Sequence, residues 1–189
     1  TGRLGMKVWV IGRNVPTTYN RMNGSFELDQ AKILAENNEV SYLAQSFCFG
    51  PGRNNSTPGY FFRSFLDDDV RVFSRTCPYF PGRYAIHWRA YLDAQWMAFV
   101  RRVLKETGVP DVVHVHYPTM IGDVKALIYL KSLGAKLVCT EHWTRVLTGE
   151  IDDHERETLA SLVGLSDAFI SVGRPLADAV SRSIGTATK

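Results

Sequence analysis

The sequence predicts a doubly wound parallel α/β sheet, and three observations lead there. Short apolar runs at residues 6–12, 112–116, 137–140 and 168–172 lack in/out alternation, as expected of strands covered on both faces. Longer segments between them carry apolar residues at helical spacing. Strand and helix signals alternate along the whole chain, with no internal repeat and no second core.

Composition agrees. With 189 residues the chain can bury one sizeable core, and 45% hydrophobic against 22% charged residues is ordinary for a globular protein. A net charge of +3 is too small to imply a nucleic-acid partner. Residues 53–102 hold eight arginines and no lysine against four aspartates. That is either a solvated surface or a face that meets the phosphates of a lipid or an anionic acceptor. Cys48, Cys77 and Cys139 have no CxxC spacing, and their odd number fits a reducing compartment. No apolar run approaches the ~20 residues that span a bilayer, and no signal peptide is evident. Residues 1–5 precede the first methionine, Met6, and read as an appended remnant; 6–189 then form one domain. The expectation is a cytoplasmic chain, compatible with contact at the inner face of a membrane.

In order, residues 6–12 (MKVWVIG) read as a buried strand ending in glycine, followed by a loop over 13–23. Gly24-Ser25 opens a helix with Ser25 as N-cap, Glu27 and Asp29 in its first turn, and Phe26, Leu28, Ala31, Ile33, Leu34 and Ala35 as its apolar surface. A second strand runs over 39–45. The glycine at the helix mouth leaves backbone N–H groups able to meet an anion. The loop is not GxGxxG and Gln45, not an acid, closes the second strand, which argues against a nicotinamide dinucleotide. Residues 50–60 are too rich in Gly, Pro and Asn for regular structure and suit a substrate-facing loop. Two short strands at 60–66 and 70–74 flank an Asp triplet that reads as a solvated turn. The longest helix, 83–106, carries Trp88, Leu92, Trp96, Phe99, Val100 and Val103 as a stripe that packs on the sheet. Beyond His142 come a connection, a helix over 152–163, a buried strand over 168–172, and a last helix over 174–184 with Pro175 in its first turn.

The polar chemistry gathers within 110–145, a strand–helix–strand unit. Ligands of such sheets lie outside the carboxyl ends of the strands, where His114 and His116 end one strand and Glu141 and His142 end the next. Residues two apart on a strand share a face, so the two imidazoles of His114 and His116 point together. One reading is a metal site of His114, His116 and Glu141 or His142; the spacing allows it, but no further ligand cluster is in view. Another is nucleophilic catalysis by Cys139 with His142, yet residues three apart on a strand face opposite ways, and Cys139 reads as a small core residue. The third is a sugar- or phosphate-binding cleft in which the histidines donate to hydroxyl or phosphate oxygens.

A resemblance favours the third. The strand MKVWVIG, Gly24 before the first helix, AENNEV, PDVVHVHYP, KLVCTEHW and AFISVGRPLADAV resemble, in order, the N-terminal Rossmann-like domain of retaining GT-B glycosyltransferases of family 4. The resemblance implies an enzyme that moves a sugar from a nucleotide-sugar donor to a saccharide or lipid-linked acceptor, with no bound cofactor and no metal. His142 and His116 would be its catalytic groups. Gly24 with Asn23 and Ser25 would approach the donor diphosphate and acceptor, although the family usually has two adjacent glycines where this chain has Asn23-Gly24. Glu141, Arg145 and Ser171 would contact substrate, Arg145 as an anionic contact. The family's C-terminal half, with the nucleotide-sugar site, lies beyond this sequence, so the chain is expected not to turn over alone. The alternatives are a sugar-nucleotide epimerase of the same two-domain type and a non-catalytic acceptor- or partner-binding domain.

Overall fold

A computed structural model describes residues 5–16, 22–48, 61–78, 85–121 and 124–185. The loop expected over 50–60 lies outside the described residues, as do most of residues 1–5, the side chains of Cys48 and Trp88, and the chain's last four residues. Seven strands form one sheet: β1 (Lys7–Gly12), β2 (Glu39–Cys48), β3 (Phe61–Asp67), β4 (Val70–Pro78), β5 (Val112–His116), β6 (Lys136–Glu141) and β7 (Ala168–Ser171). The helices are α1 (Ser25–Ala35), α2 (Ala85–Thr107), α3 (Pro118–Ile121), α4 (Val124–Ser132), α5 (Thr144–Thr148), α6 (Asp153–Leu165) and α7 (Arg174–Ser183).

The spatial order is β3-β4-β2-β1-β5-β6-β7. All neighbours pair in parallel except β3 and β4, an antiparallel hairpin at one edge. Its turn takes Asp68 at φ 52, and Lys32 of α1 holds Asp67 and Asp68 at 2.9 Å each, so the Asp triplet is indeed a turn. The chain begins in the middle of the sheet, builds outward to β3, then crosses by α2 to the other side of β1. The order therefore reverses between β1 and β5, the topological switch point where open α/β sheets bind ligands.

Both faces of the sheet are covered, and residue parity decides which side chain meets which layer. Trp9, Ile11, Val113, Val115, Leu137 and Cys139 pack with Trp96, Phe99 and Val103 of α2, Leu127 and Leu130 of α4 and Leu162 of α6. Val8, Val10, Val40, Tyr42 and Val72 pack instead on Leu28, Ala31 and Ala35 of α1. A third cluster, Val146, Ile151, Leu159, Leu176 and Val180, joins α5, α6 and α7.

Four expectations change. Gly24, not Ser25, is the N-cap of α1, at φ 84 with no side-chain cap; the Ser25 hydroxyl donates to Met22 O at 3.1 Å instead. Ile33, expected on the apolar face, is 65% exposed because α1 meets the sheet through residues 27, 28, 31 and 35. The 168–172 strand is an edge strand, not a buried one, and Ile170 is 46% exposed there. The connection after His142 contains α5, whose end is made by Gly149 at φ 76.

Candidate functional site

The parity that sends Val113, Val115, Leu137 and Cys139 into one layer turns His114, His116, Thr140 and His142 toward the α1 side. In register His116 lies beside Thr140, so His142, two residues further on, reaches the same crevice. His116 Nδ1 and His142 Nε2 are 3.1 Å apart and share one proton. His114 Nε2 bonds the Thr140 hydroxyl at 2.8 Å, and the rings of His114 and His116 lie 4.2 Å apart. The two rings of the HxH pair are thus turned to different partners. Among the described residues no group of three His, Cys, Asp or Glu side chains is placed to hold a metal ion.

His116 is fully buried, and its Nε2 has no partner. Burial, with the neighbouring His114, His142 and Arg13, lowers its pKa to about 3. Burial first, then His142, lowers that of His114. Burial also lowers that of the partly exposed His142, against the raising pull of Glu141 and Glu27 and with a lowering contribution from Arg13. All three imidazoles are therefore neutral at pH 7.

Glu141 ends β6 on the opposite face and is fully buried. Its carboxylate accepts from the Thr119 hydroxyl at 2.5 Å and Thr119 N at 3.3 Å, and from the backbone N–H groups of His142 and Trp143 at 2.9 Å each. One side chain thereby ties the start of α3 to the segment that carries His142. Arg145, on α5, gives its guanidinium to Glu155 Oε1 at 2.8 Å and to Glu150 O at 2.6 Å, and lies over the Trp143 ring. It fastens α5 to α6. Ser171 lies beside Glu141 in register, and Val172 N donates to Glu141 O at 3.3 Å. Cys139 is buried in the core, where burial pushes its thiol up to about 11, the state of an inert residue.

At the mouth of α1, a Cβ on Gly24 would stand 1.9 Å from Asn14 O. The need for glycine is thus met inside the protein: the loop after β1 folds back against the helix start, and Tyr42 Oη donates to the same carbonyl at 2.8 Å. Asn23 and Ser25 flank this contact. From the sequence's own candidates the fold brings together His116, His142 and Glu141, and sets Gly24, Ser171 and Arg145 on the surrounding elements.

Several residues of the site escape sequence reasoning. Phe26 presents its ring edge-on to His142 and His116, with centroids 5.4 and 6.2 Å away. Tyr117, at φ 52, stacks on His142 at 4.8 Å, and the Arg13 guanidinium lies over the Tyr117 ring at 3.8 Å. Glu27, fully buried, pairs with Arg13 at 2.8 Å. The available signal was the buried spacing of α1: Glu27 falls on the stripe of Leu28, Ala31 and Ala35, where an acid needs a partner. On the other side of residues 141–143, a cleft of about 540 Å³ opens between α2, α3, α4 and α6. Trp96, Trp143, Thr119, Arg89, Lys125 and His154 are among its lining residues.

A mostly parallel sheet with paired imidazoles and a glycine-led helix at its switch point is the N-terminal, Rossmann-like domain of a GT-B glycosyltransferase. More narrowly, the chain belongs to Glycosyltransferase Family 4, whose model matches residues 38–189. Among solved structures it resembles an α,α-trehalose-phosphate synthase (UDP-forming) from Burkholderia vietnamiensis, with a TM-score of 0.62 and 12% identity over 100% of this chain and 45% of that one. It also resembles the Burkholderia xenovorans enzyme of that name in complex with glucose-6-phosphate, with a TM-score of 0.60 and 13% identity over 95% of this chain and 43% of that one. The chain thus spans less than half the length of these relatives. No curated protein matches the sequence. Among the described residues no helix is long and apolar enough to cross a membrane.

Proposed function

We propose that the whole protein transfers a glycosyl unit, with retention and without a bound metal, from a nucleotide sugar to a saccharide or lipid-linked acceptor, and that this chain forms the acceptor side. The observation that carries the reading is the neutral His116–His142 pair at the switch point of a Family 4 sheet. When His142 donates its Nε2–H to His116 Nδ1, its own Nδ1 carries a lone pair. That atom can accept the proton of an acceptor hydroxyl and hold the hydroxyl for attack. His116 then acts through His142, and Glu141 holds the backbone of both His142 and Trp143. The N-terminus of α1, with Asn23, Gly24 and Ser25, offers uncapped N–H groups to phosphate oxygens. Ser171 and Arg145 are candidates at the rim, with the Arg145 guanidinium already engaged by Glu155.

The cleft beside Trp143 opens on the face opposite His142, so the acceptor hydroxyl is assigned to the α1 side, beside Phe26 and Tyr117, and not to that cleft. Glucose-6-phosphate in one structural relative makes a phosphorylated sugar the first acceptor to try. The donor would be held largely by a second domain. The same reading places the protein in the cytoplasm, with contact at the inner membrane face where the acceptor is lipid-linked.

The test is transfer by the full-length protein from UDP-, GDP- and ADP-sugars to sugar phosphates and lipid-linked saccharides. His142→Ala is expected to lower kcat about 10²–10⁴-fold with the donor KM little changed. Undiminished transfer by that variant overturns the reading.

A further inference from the structure

The imidazole at the centre of the site does not stand alone. It forms one end of a stack drawn from three separate parts of the chain. Arg13, in the loop after β1, places its guanidinium 3.8 Å from the centroid of the Tyr117 ring. Tyr117, in the loop after β5, lies nearly parallel to His142, at 28° and 4.8 Å. Glu27, in the first turn of α1, anchors Arg13 through an Nε–Oε1 bond of 2.8 Å.

Two features mark this as more than surface packing. Tyr117 occupies the left-handed region at φ 52 although it precedes a proline, which disfavours helical torsions in the residue before it. A non-glycine residue held there costs about 1–3 kcal/mol and persists only where its surroundings dictate it. The second is Glu27 itself. Its side chain is fully buried, and its Oε2 has no hydrogen-bond partner. A buried carboxylate with a single guanidinium partner is a costly way to hold a loop that the Tyr42–Asn14 bond already fixes. It does place one positive and one negative charge, as a fixed pair, beside the ring that stacks on His142.

We propose that Arg13, Glu27 and Tyr117 are positioning residues that set the plane and the charge state of His142. This rests on His142 being the acceptor-side base of the proposed transferase. Tyr117 and Phe26 fix the ring from two sides, one stacked and one edge-on, so its Nδ1 keeps a constant direction. Arg13⁺ over the Tyr117 ring disfavours a second cation, while Glu27⁻, paired with it, limits that effect. The charged and titratable groups facing His142 are Arg13 from the β1 loop, Glu27 from α1, His114 and His116 from β5, Tyr117 from the β5 loop, and Glu141 from β6. Of these, Arg13 and Glu27 can be changed without touching the ring's own strand or its hydrogen bond.

The inference is tested by titrating the imidazoles of the full 189-residue chain, labelled with ¹⁵N-histidine, by NMR, so no turnover is needed. His142 is expected to titrate below the ordinary value near 6.5. Glu27→Gln is expected to lower its midpoint further and Arg13→Gln to raise it, each by about half a unit to one unit. Because Arg13→Gln leaves a buried carboxylate unpaired, the double variant Arg13→Gln/Glu27→Gln is made alongside; it removes both charges and should return the midpoint close to that of the unaltered chain. Tyr117→Phe should preserve the ring-current shift of the His142 protons, and Tyr117→Leu should reduce it to the part that Phe26 and His116 supply. Midpoints that move in the same direction in both single variants, or do not move, overturn the inference. So does a ring-current shift that is unchanged in Tyr117→Leu. These results stand whether or not the whole protein transfers sugar, so failure here and failure of the transferase reading are told apart.

Discussion

Glu141 shows what a single buried side chain does at this site. Its two oxygens accept from four donors, two on Thr119 and the backbone N–H groups of His142 and Trp143. The sequence marks it as a substrate contact because an acid at a strand's carboxyl end, beside a histidine, has that character. Parity explains why it is instead internal: residue 141 points to the face opposite residue 142. In Glu141→Gln the amide oxygen can keep the His142 and Trp143 N–H groups, and the Thr119 hydroxyl can turn to accept from the new NH₂. That variant is expected to lose about 1–2 kcal/mol, mainly for Thr119 N. Glu141→Ala leaves all the donors without an acceptor and is expected to lose about 3 kcal/mol or more. Urea midpoints give the order: unaltered chain, then Gln, then Ala. Equal midpoints for the two variants would show that the carboxylate's acceptors are not what holds the segment.

At the scale of elements, the strands β1, β5 and β6 were legible because burial on both faces writes itself as an uninterrupted apolar run. The long helix α2 was legible because Trp96, Phe99, Val100 and Val103 repeat often enough to show their period. α5 was not: five residues are too few to show a period, and its capping glycine, Gly149, reads equally well as a turn. The site was half legible for a related reason. His116 and His142 are signalled locally, at strand ends, whereas Arg13, Glu27 and Tyr117 meet only through the order of the sheet and lie up to 104 residues apart. The start of α6 is fixed locally. Asp152 accepts from Glu155 N and the Glu155 carboxylate accepts from Asp152 N, both at 2.8 Å, a closed capping box. Glu155 also takes Arg145 of α5, so this cap fixes two helices at the edge of the cleft. Asp152→Ala is expected to lower the Tm and Asp152→Asn to restore most of the loss, since asparagine keeps the acceptor oxygen. Differential scanning calorimetry reads the order; an alanine variant as stable as asparagine would remove the cap from the account.

For the molecule as a whole, the site sets a stability profile against pH. His116 keeps a pKa of about 3 in the fold, and those of His114 and His142 are also lowered, all chiefly by burial. In the unfolded chain each would titrate near 6.5. Between those limits the unfolded state binds more protons than the folded one, so stability rises with pH and falls on acidification. The histidine contribution is therefore fully present above about pH 6.5 and is lost as pH falls toward the folded values, at up to about 1.4 kcal/mol per pH unit for the fully buried His116 and less for the partly exposed His142. Asp167 works in a lower window. Its pKa is lowered by the Leu137 backbone N–H and by Lys131, so its contribution is present above the ordinary carboxylate value and disappears only below it. The two windows separate the causes. Urea midpoints at pH 7.5, 6.5 and 5.5 are expected to fall progressively, well before carboxylates protonate. His116→Gln, which removes the most strongly perturbed ring and keeps a polar side chain of similar reach, is expected to flatten that fall by about one proton's worth, whatever it does to the midpoint at pH 7.5. A slope unchanged in that variant would mean that the His116 ring is already open to water, and a neutral imidazole buried behind His142 would no longer describe the site.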